Sequence, residues 1–447
     1  MGEMLPTVDL GDKRLNKRCN QLIDQFASKP STSIPEACHD WKNTKAAYRF
    51  FTNEMVEPDQ ILTAHYEQTQ QRIKETQGII LVAQDTTDLD YTTHKKLKGI
   101  GYLQGEHIFG IKVHSALAMS EQGTPVGLLS QKRWIRKVEE FGKRHNPKKW
   151  ANSPKESERW ITTFQEVGKR VTQNRKVVVI GDRESDFYDL FALKRRENLH
   201  LLVRAKHNRY LWGIHKRLFE KVLGSIPAGT LTISMQKTPK RPPREATLTV
   251  RFTQVTLTSR KGKGAIRLWA VSAEEEKPPG DEKPIKWLLL TTVPVNSFEI
   301  AVTIINWYTK RWLIERFHYC LKSGCKIEEL QLQEKTRLER AVAVYSIVAW
   351  KLLWITYEAR EHPGGSYESI LTPEEWQVLC LVTKIKGKTK VKETIQNAVK
   401  MLAKLGGFLG RKGDKQPGVK TLWIGIRRFN DIMYGWNVSN QKDMGKG

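Results

Sequence analysis

Cysteine and long apolar runs are scarce in this sequence. The chain has 5 cysteines in 447 residues, with no Cys-x-x-Cys pair beside a histidine cluster, which predicts reduced thiols and excludes a disulfide framework or a zinc site. The first residues lack the apolar core of a secretory signal, so we expect a cytoplasmic protein. Residues 341–357 are apolar, but Lys351 lies near their middle and they fall short of the usual ~20 residues of a membrane span. A buried helix is the better interpretation.

Acidic residues are also few relative to basic ones. The chain has 75 Lys and Arg against 48 Asp and Glu, a formal net charge of +27. A strongly positive chain attracts polyanions, so nucleic acid is the predicted partner. Hydrophobic residues make up 39% of the sequence, enough to build two or three cores, which predicts a globular protein of several domains.

Residues 10–26 have the apolar spacing of an amphipathic helix. Basic side chains lie largely off the apolar stripe, at Lys13, Arg14, Lys17 and Arg18. This pattern predicts a small helical domain with a basic face. A solvated surface helix is a nearly equal alternative, because charge clusters are commonly only that.

The middle of the chain has the pattern of a mixed α/β sheet. A continuous apolar run at 79–83 predicts a strand buried on both faces, and 176–180 (KVVVI) predicts another short buried strand. Between these runs, 110–119 and 126–134 predict an antiparallel hairpin, and 199–204 predicts a further strand. Three antiparallel strands followed by alternating helices and strands indicate a mixed sheet with helices packed against it.

Two further units are predicted around and after this sheet. Within residues 207–286, the segments 230–235 and 247–257 alternate as half-exposed strands do, and 267–273 has the pattern of another strand. Residues 207–286 are therefore predicted to be an inserted antiparallel β subdomain. The core resumes at 287–292 and enters a helix after Ser297, a predicted N-cap. A capping box at Thr372 opens a C-terminal helical region. An apolar stripe in that region, at Val391, Ile395, Ala398, Leu402 and Leu405, is expected to pack either within its own domain or against a second protomer.

An acid stands at the end of each of two predicted buried strands. Asp85 follows the run 79–83, and Asp182 follows the run 176–180. Carboxylates at strand ends are held by a rigid sheet where a polar ligand can reach them. Each has a structural alternative, since Asp85 could cap the turn at Thr86 and Asp182 could cap the helix that follows it.

A predicted helical stretch from Trp307 to Ser323 contains an acid among hydrogen-bond donors. At about 100° per residue, Tyr308, Arg311, Glu315 and Lys322 fall within an arc of roughly 60°. A carboxylate that binds a cation beside donors that hold a phosphate would require this arrangement. The alternative is an ordinary amphipathic helix with an i,i+4 ion pair.

These patterns together resemble the insertion-sequence-four family of bacterial DDE transposases. The likeness rests on QDTT around Asp85, GDRESD around Asp182 and the Tyr-x2-Arg-x3-Glu-x6-Lys spacing that begins at Tyr308. It implies an α/β fold with a ribonuclease H-like catalytic core: a mixed five-stranded sheet with helices and an inserted β subdomain. On this basis residues 1–70 are a helical DNA-binding domain, 71–365 the catalytic domain and 366–447 a helical dimerisation domain.

The resemblance also implies roles for individual residues. Asp85, Asp182 and Glu315 would ligate two Mg²⁺ ions, for which Mn²⁺ would substitute, and would act in DNA cleavage and strand transfer. The resemblance assigns DNA contacts to Tyr308, Arg311, Lys322, Trp287, Arg204 and Lys206. Among these, Trp287 would stack on a flipped base, whereas its structural alternative is an ordinary half-buried strand tryptophan.

The partners implied are double-stranded DNA, as terminal inverted repeats and as target, and a second copy of the chain. The implied reaction is cut-and-paste transposition through a free 3′-OH and a DNA hairpin. Two other hypotheses remain open from the residues. One is a catalytically silent regulator that occupies transposon ends, and the other is a ribonuclease H-like nuclease that acts without dimerising.

Overall fold

The computed structural model describes residues 8–105, 107–136, 156–214, 216–235, 243–258, 264–280, 282–383 and 391–444. Parts of the predicted β insertion, at 236–242 and 259–263, therefore lie outside the described residues. The description below applies to the remaining ranges.

Helices form the N-terminal part of the chain. Their bounds are α1 Lys13–Ser28, α2 Ile34–Cys38, α3 Trp41–Thr52 and α4 Pro58–Glu75. Helix α1 begins after Asp12, whose side chain accepts hydrogen bonds from the amides of Arg14 and Leu15. One face of α1 is buried through Cys19, Leu22, Ile23 and Phe26. Because Lys13, Arg14 and Lys17 are exposed while this face is buried, the predicted amphipathic helix is confirmed.

The central sheet begins with strands β1 Ile80–Asp90, β2 Gly101–Tyr102, β3 Phe109–Ser120, β4 Pro125–Trp134, β5 Val177–Gly181 and β6 Leu199–Arg204. The main strands lie in the order β4, β3, β1, β5, β6. The first three are antiparallel, whereas β5 pairs parallel with β1 and β6 pairs parallel with β5. The connections carry helices α5 Glu158–Arg170 and α6 Tyr188–Phe191. This is the predicted mixed sheet, and the predicted hairpin of β3 and β4 is confirmed.

The predicted insertion continues the same sheet. It contains α7 Leu218–Leu223 and strands β7 Gly229–Met235, β8 Arg244–Thr258 and β9 Ala265–Glu275, and it leads into β10 Lys286–Thr291. Strand β10 pairs antiparallel with β6, and β9, β8 and β7 follow it outward. The sequence predicts the antiparallel strands, but it does not show that they extend the core sheet. The extension has a physical reason: without β10, the outer edge of β6 would be unpaired, and an unpaired strand edge readily pairs with a further strand.

Helices α8 Phe298–Thr309, α9 Trp312–Tyr319 and α10 Lys335–Glu361 follow the sheet. Ser297 caps α8 as predicted, because its hydroxyl accepts a hydrogen bond from the amide of Ile300. Helix α10 is buried along most of its length, and Lys351 within it is only 3% exposed. In the described part of the chain no helix is long and apolar enough to cross a membrane. The prediction of a buried helix at 341–357 is therefore confirmed.

The C-terminal region consists of helices α11 Pro373–Val382, α12 Ile395–Leu405 and α13 Val419–Met444. The predicted capping box is present: the Thr372 hydroxyl accepts from the Glu375 amide at 3.2 Å, and the Glu375 carboxylate accepts from the Thr372 amide at 2.8 Å. The stripe on α12 is buried against its own chain, with Ala398 and Leu402 in the core.

Helices α12 and α13 approach each other through glycine. A methyl group built on Gly425 of α13 would lie 1.8 Å from the carbonyl oxygen of Leu402, and one on Gly406 would lie 1.8 Å from that of Thr421. No heavy-atom contact occurs at such distances. The two helices can therefore keep this separation only while both positions lack a side chain.

We expect Gly425→Ala to destabilise the protein by about 1–3 kcal/mol, the usual cost of overpacking, because the backbones must move apart. Gly435→Ala is the matched control, since Gly435 lies on the same helix with nothing within 4 Å of the added methyl. That change should be neutral or stabilising by up to about 1 kcal/mol through helix propensity. Thermal unfolding of both variants measures the difference. Equal unfolding temperatures would contradict the close approach.

Candidate active site

The parallel pairing of β1 and β5 sets the position of two acids. The register pairs Ile80 with Val177 and continues to Ala83 with Ile180. Continued by two residues, this register places Asp85 opposite Asp182. Neighbouring strands lie about 4.8 Å apart, so the two carboxylates lie at the same edge of the core. The sequence predicts that Asp85 stands at a strand end, which is wrong, because β1 continues to Asp90 by pairing with β3.

Each of the two aspartates also accepts the local hydrogen bond expected of a residue that caps a turn or helix. Asp85 Oδ1 accepts from the amide of Thr86 at 2.9 Å, and Asp182 Oδ1 accepts from the amide of Glu184 at 2.8 Å. Asp182 thereby caps the short 3₁₀ turn Arg183–Ser185. These bonds use one carboxylate oxygen of each residue and fix its orientation. Capping and a site role are therefore compatible here.

Glu315 comes from a helix that is interrupted on both sides. Helix α8 ends at Thr309, α9 spans Trp312–Tyr319, and a π-helical turn occupies Cys320–Gly324. The single regular helix predicted over 307–323 is therefore wrong. At the junction, the amides of Lys310 and Arg311 bond to carbonyls three residues back, which tightens the turn, whereas the π turn widens it. Helical periodicity alone could not show either change.

Arg311 lies between two of the three acids. Its Nη2 donates to Glu315 Oε1 at 2.5 Å, and its Nη1 lies 3.8 Å from Asp85 Oδ2. The predicted i,i+4 pair is thus present, but the same guanidinium also faces Asp85 across the gap between helix and sheet. One cation therefore partly neutralises Asp85 and Glu315 together.

The electrostatics of Asp85 fit a site for a divalent cation. Burial and the nearby charge of Asp182 raise the pKa of Asp85 to about 7, although Arg311 acts in the opposite direction. Carboxylate oxygens are the ligands that Mg²⁺ prefers, and a cation would relieve this repulsion. Among the described residues no three acid, histidine or cysteine side chains are close enough together to hold a metal ion. Arg311 lies between Asp85 and Glu315 and contacts both carboxylates.

Tyr308, Trp287 and Arg204 lie together beside the acids. Arg204 ends β6, and its guanidinium donates to the carbonyl of Lys286 on the neighbouring β10 at 3.0 Å. The rings of Trp287 and Tyr308 meet edge to face with centroids 6.0 Å apart. Burial raises the pKa of Tyr308, while the charges of Arg311 and Arg204 offset part of that rise. Trp287 is half-buried, as its structural alternative predicts, and it also faces this cluster.

Lys322 lies on the π turn and contacts β1 beyond Asp85. Its Nζ donates to the carbonyl of Asp88 at 2.8 Å and lies 3.0 Å from Glu328. Three residues along a strand span roughly 10 Å, so Lys322 lies farther along the same strand than the acids do. The structure brings Tyr308, Arg311 and Glu315 together and places Lys322 at the end of this group.

Lys206 is exposed, and its backbone is held by Asp186, a residue to which the motifs assign no role. Asp186, which is 2% exposed, accepts hydrogen bonds from the amides of Lys206 at 2.6 Å and His207 at 2.9 Å. It also forms an ion pair with Arg209. The available signal was the second aspartate of GDRESD, four residues after Asp182. The spacing of residues along the sequence cannot show that a side chain accepts hydrogen bonds from two backbone amides of a distant segment.

Two buried histidines also lie near the acids without an assigned role. His114 Nδ1 lies 2.8 Å from the hydroxyl of Thr86, the residue after Asp85. Burial lowers the pKa of His114 and of His318 to about 3. Both rings are therefore neutral at physiological pH and add no charge to the acid cluster.

Comparison with protein families matches three parts of the chain. Residues 2–56 match the family described as Transposase DNA-binding, 151–350 match Transposase DDE domain, and 347–440 match Transposase Tn5 dimerisation domain. The DDE match includes Asp182, Arg311 and Glu315. The strand order of the core, with its antiparallel and parallel pairs, is that of a ribonuclease H-like sheet, and helical regions flank it.

These matches cover most of the chain. The DDE match contains Asp182 and the signature helix, whereas Asp85 lies outside the three matched ranges. DNA binding, a DDE catalytic domain and dimerisation are the three parts of a DNA transposase. The chain belongs to the DDE transposases of the insertion-sequence-four family and is similar to the transposase of transposon Tn5.

Proposed function

We propose that this chain catalyses cut-and-paste transposition of an insertion sequence, with Asp85, Asp182 and Glu315 as its catalytic acids. The observation that carries the proposal is the shared register of Asp85 and Asp182 on parallel strands, with Arg311 joining Asp85 to Glu315. The chemistry proposed is phosphoryl transfer on DNA. Phosphoryl transfer on DNA is the reaction of DDE transposases in general, and Asp85, Asp182 and Glu315 are where we propose that it occurs in this chain.

The three acids are proposed to hold two Mg²⁺ ions, for which Mn²⁺ would substitute. Such a pair of ions supplies positive charge to the attacking and the leaving oxygen of an in-line displacement. The acids themselves contribute rigid placement, since β1 and β5 fix two of them. Arg311 would release the carboxylates and turn its two-pronged donor group toward a DNA phosphate.

The remaining side chains of the cluster are proposed to hold the distorted DNA end. Tyr308, Arg311 and Lys322 would contact phosphates near the 5′ end, and Arg204 and Lys206 would contact the same end from β6. Trp287 would stack on a flipped base, a contact worth about 1–3 kcal/mol. Its ring lies at the rim of the sheet beside Tyr308, which supports this assignment.

The proposed reaction proceeds through a DNA hairpin. A water oxygen attacks phosphorus at each transposon end and breaks the bond to the 3′ oxygen, which leaves as a 3′-OH. That hydroxyl attacks the opposite strand, so that the hairpin forms and the flanking DNA is released. Hydrolysis opens the hairpin to a blunt end, and its 3′-OH then attacks a phosphodiester of the target. Each step exchanges one P–O bond for another.

The same proposal assigns the partners. Residues 1–70 would recognise double-stranded terminal inverted repeats through the basic face of α1, and residues 366–447 would pair two protomers in the synaptic complex. The exposed Lys13, Arg14 and Lys17 support the first assignment. The match of 347–440 to a dimerisation domain supports the second.

We expect Glu315→Gln to retain binding to transposon-end DNA and to lose cleavage by at least 100-fold, because the amide removes a charged ligand without changing the shape of the side chain. Glu299→Gln is the matched control: Glu299 is an exposed acid on the adjacent helix α8. A denaturing gel of labelled end DNA incubated with Mg²⁺ measures nicks and hairpins. If wild type binds the ends and never cuts them, the chain is a regulator; if Glu315→Gln cuts normally, the catalytic assignment is wrong.

We expect Asp85→Asn to raise the unfolding temperature of the metal-free protein at pH 8. The raised pKa of Asp85 means that its charge is unfavourable in the folded state, so the folded protein loses stability as pH rises from about 4 toward 7. The amide removes this cost, which is at most on the order of 4 kcal/mol because one pKa unit corresponds to 1.4 kcal/mol.

The same thermal experiment tests metal binding without measuring activity. Millimolar Mg²⁺ should raise the unfolding temperature of the wild type and of Glu299→Gln, whereas Asp85→Asn should show little response. An equal response of all three proteins to Mg²⁺ would exclude Asp85 as a ligand.

We expect Trp287→Ala to reduce hairpin formation by roughly 5- to 100-fold, corresponding to the loss of one stacking contact, while the first nick is little affected. Trp287→Phe should restore much of the hairpin, because phenylalanine keeps an aromatic face. The ratio of hairpin to nicked strand, followed over time on the same gel, reports the effect. A parallel loss of nick and hairpin would indicate a purely structural role in β10.

A further inference from the structure

A buried histidine lies on the strand next to Asp85. Strands β1 and β3 pair antiparallel, with Thr86 opposite His114 and Asp85 opposite Ser115. His114 is 0% exposed. Side chains alternate between the two faces of a strand, so Gln84 and Thr86 lie on one face of β1 and Asp85 lies on the other. The His114 ring therefore contacts β1 from the face of the sheet opposite the Asp85 carboxylate.

The His114 ring bonds to the residue on each side of Asp85. Its Nδ1 lies 2.8 Å from the hydroxyl of Thr86, and its Nε2 lies 3.2 Å from the amide oxygen of Gln84. An amide oxygen only accepts hydrogen bonds, so Nε2 carries the hydrogen and Nδ1 accepts from the Thr86 hydroxyl. Both nitrogens of the neutral ring are thereby satisfied. One side chain thus spans a stretch of β1 that has Asp85 at its centre.

Thr86 connects this contact to the carboxylate. The backbone amide of Thr86 donates to Asp85 Oδ1 at 2.9 Å. Threonine is branched at Cβ, which restricts its χ1 angle. A partner that holds the Thr86 hydroxyl therefore also restrains the backbone of Thr86, and with it the amide that orients the Asp85 carboxylate.

The His114 ring packs in turn on a tryptophan that reaches the strand of the second acid. Trp160 of α5 is 4% exposed, and its ring meets that of His114 edge to face with centroids 4.7 Å apart. A methyl group built on Gly181, the residue before Asp182, would lie 3.3 Å from Cζ3 of Trp160. The two rings therefore pack behind the strands of both aspartates and join them on the side away from the carboxylates.

The polarity of His114 is unusual for its place in the sheet. Its neighbours on the same face of β3, Ala116 and Ala118, are apolar core residues. Burying a polar ring costs free energy that an apolar side chain would not cost, unless hydrogen bonds compensate for it. Burial lowers the pKa of His114 to about 3, so the ring stays neutral and keeps these two hydrogen bonds at physiological pH.

We propose that His114 is a positioning residue for cation binding by the acids, because it fixes the direction of Asp85 through Thr86 and Gln84. The inference rests on the proposed function, since it assigns this fixed direction to the binding of divalent cations. Hydrogen-bond partners behind a metal ligand set the orientation of that ligand, and their loss typically weakens metal affinity by about 10- to 100-fold. His114 acts through Thr86 and does not itself bind the cation.

The test uses Thr86→Val in the full-length protein, which removes the hydroxyl and keeps a side chain branched at Cβ. Thermal unfolding is followed over a range of Mg²⁺ concentrations, and the concentration that gives half of the maximal rise in unfolding temperature is compared with that of the wild type. This concentration should rise by roughly 10-fold. Binding of transposon-end DNA in EDTA should stay the same, because Thr86 holds no DNA in this proposal.

Thr292→Val is the matched control. The Thr292 hydroxyl lies 3.4 Å from Nδ1 of His200 in the same sheet. His200 pairs with Val178, four residues before Asp182, which is roughly 13 Å along the strand. The control removes a second contact between threonine and histidine, so it should leave the half-effect Mg²⁺ concentration unchanged even if it lowers the unfolding temperature. An equal rise in this concentration for both variants would indicate general loosening of the sheet and would overturn the inference.

Two substitutions of His114 separate positioning from packing. The amide oxygen of an asparagine lies near the position of Nδ1 and can accept from the Thr86 hydroxyl, whereas glutamine reaches the position of Nε2 and fills more of the space. Positioning through Thr86 therefore predicts that His114→Asn needs less Mg²⁺ than His114→Gln. If the larger His114→Gln lies closer to the wild type, His114 acts only by packing and the inference is wrong.

The same titration distinguishes this inference from the proposed function. A wild type that unfolds at the same temperature with and without Mg²⁺ would refute cation binding by the acids, and the role of His114 with it. A wild type that is stabilised by Mg²⁺ and cuts end DNA, while Thr86→Val needs no more Mg²⁺ than the wild type does, would refute the positioning role alone.

Discussion

The pairing of β1 with β5 is the constraint on which the site depends. Two carboxylates, Asp85 and Asp182, stand two residues beyond the last paired residues of this buried register, although their charges repel. A flexible loop would relieve this repulsion by moving, but the apolar residues 80–83 and 177–180 keep both strands in register. The energy of core burial thus maintains an arrangement that electrostatics opposes, as is common at sites that bind cations.

A cation on the helix opposite the sheet offsets part of the same repulsion. Arg311 reaches both Asp85 and Glu315, and the tight turn at Lys310 and Arg311 directs it toward the strands. With its guanidinium in this position, the folded protein can tolerate the acids without a bound cation. In the proposed mechanism, Arg311 and the cations would bind the same carboxylate oxygens. Movement of Arg311 from the carboxylates to a DNA phosphate is therefore coupled to cation binding by the acids.

Helix α10 connects the catalytic sheet to both helical regions. Phe26 of α1 stacks on Tyr345 with ring centroids 4.6 Å apart, and Arg340 donates to the carbonyls of Val56 and Phe51. Burial lowers the pKa of Lys351, while Asp24 of α1 and Glu375 of α11 act in the opposite direction. The N-terminal and C-terminal helices therefore share one buried support.

The sequence by itself determined the alternation of strands and helices, the N-cap at Ser297, the capping box at Thr372 and the acids as candidates. These are local properties, since apolar period and capping act within a few residues along the chain. The three family matches agree with the resemblance that the motifs implied, whereas the domain boundaries and the roles of individual residues remain predictions. Only the tertiary structure decided that β1 continues past Asp85, that the helix of Glu315 is interrupted, that the insertion extends the core sheet and that Asp186 holds the segment after β6. Each of these depends on a partner far away in the chain, and hydrophobic periodicity carries no information about such partners.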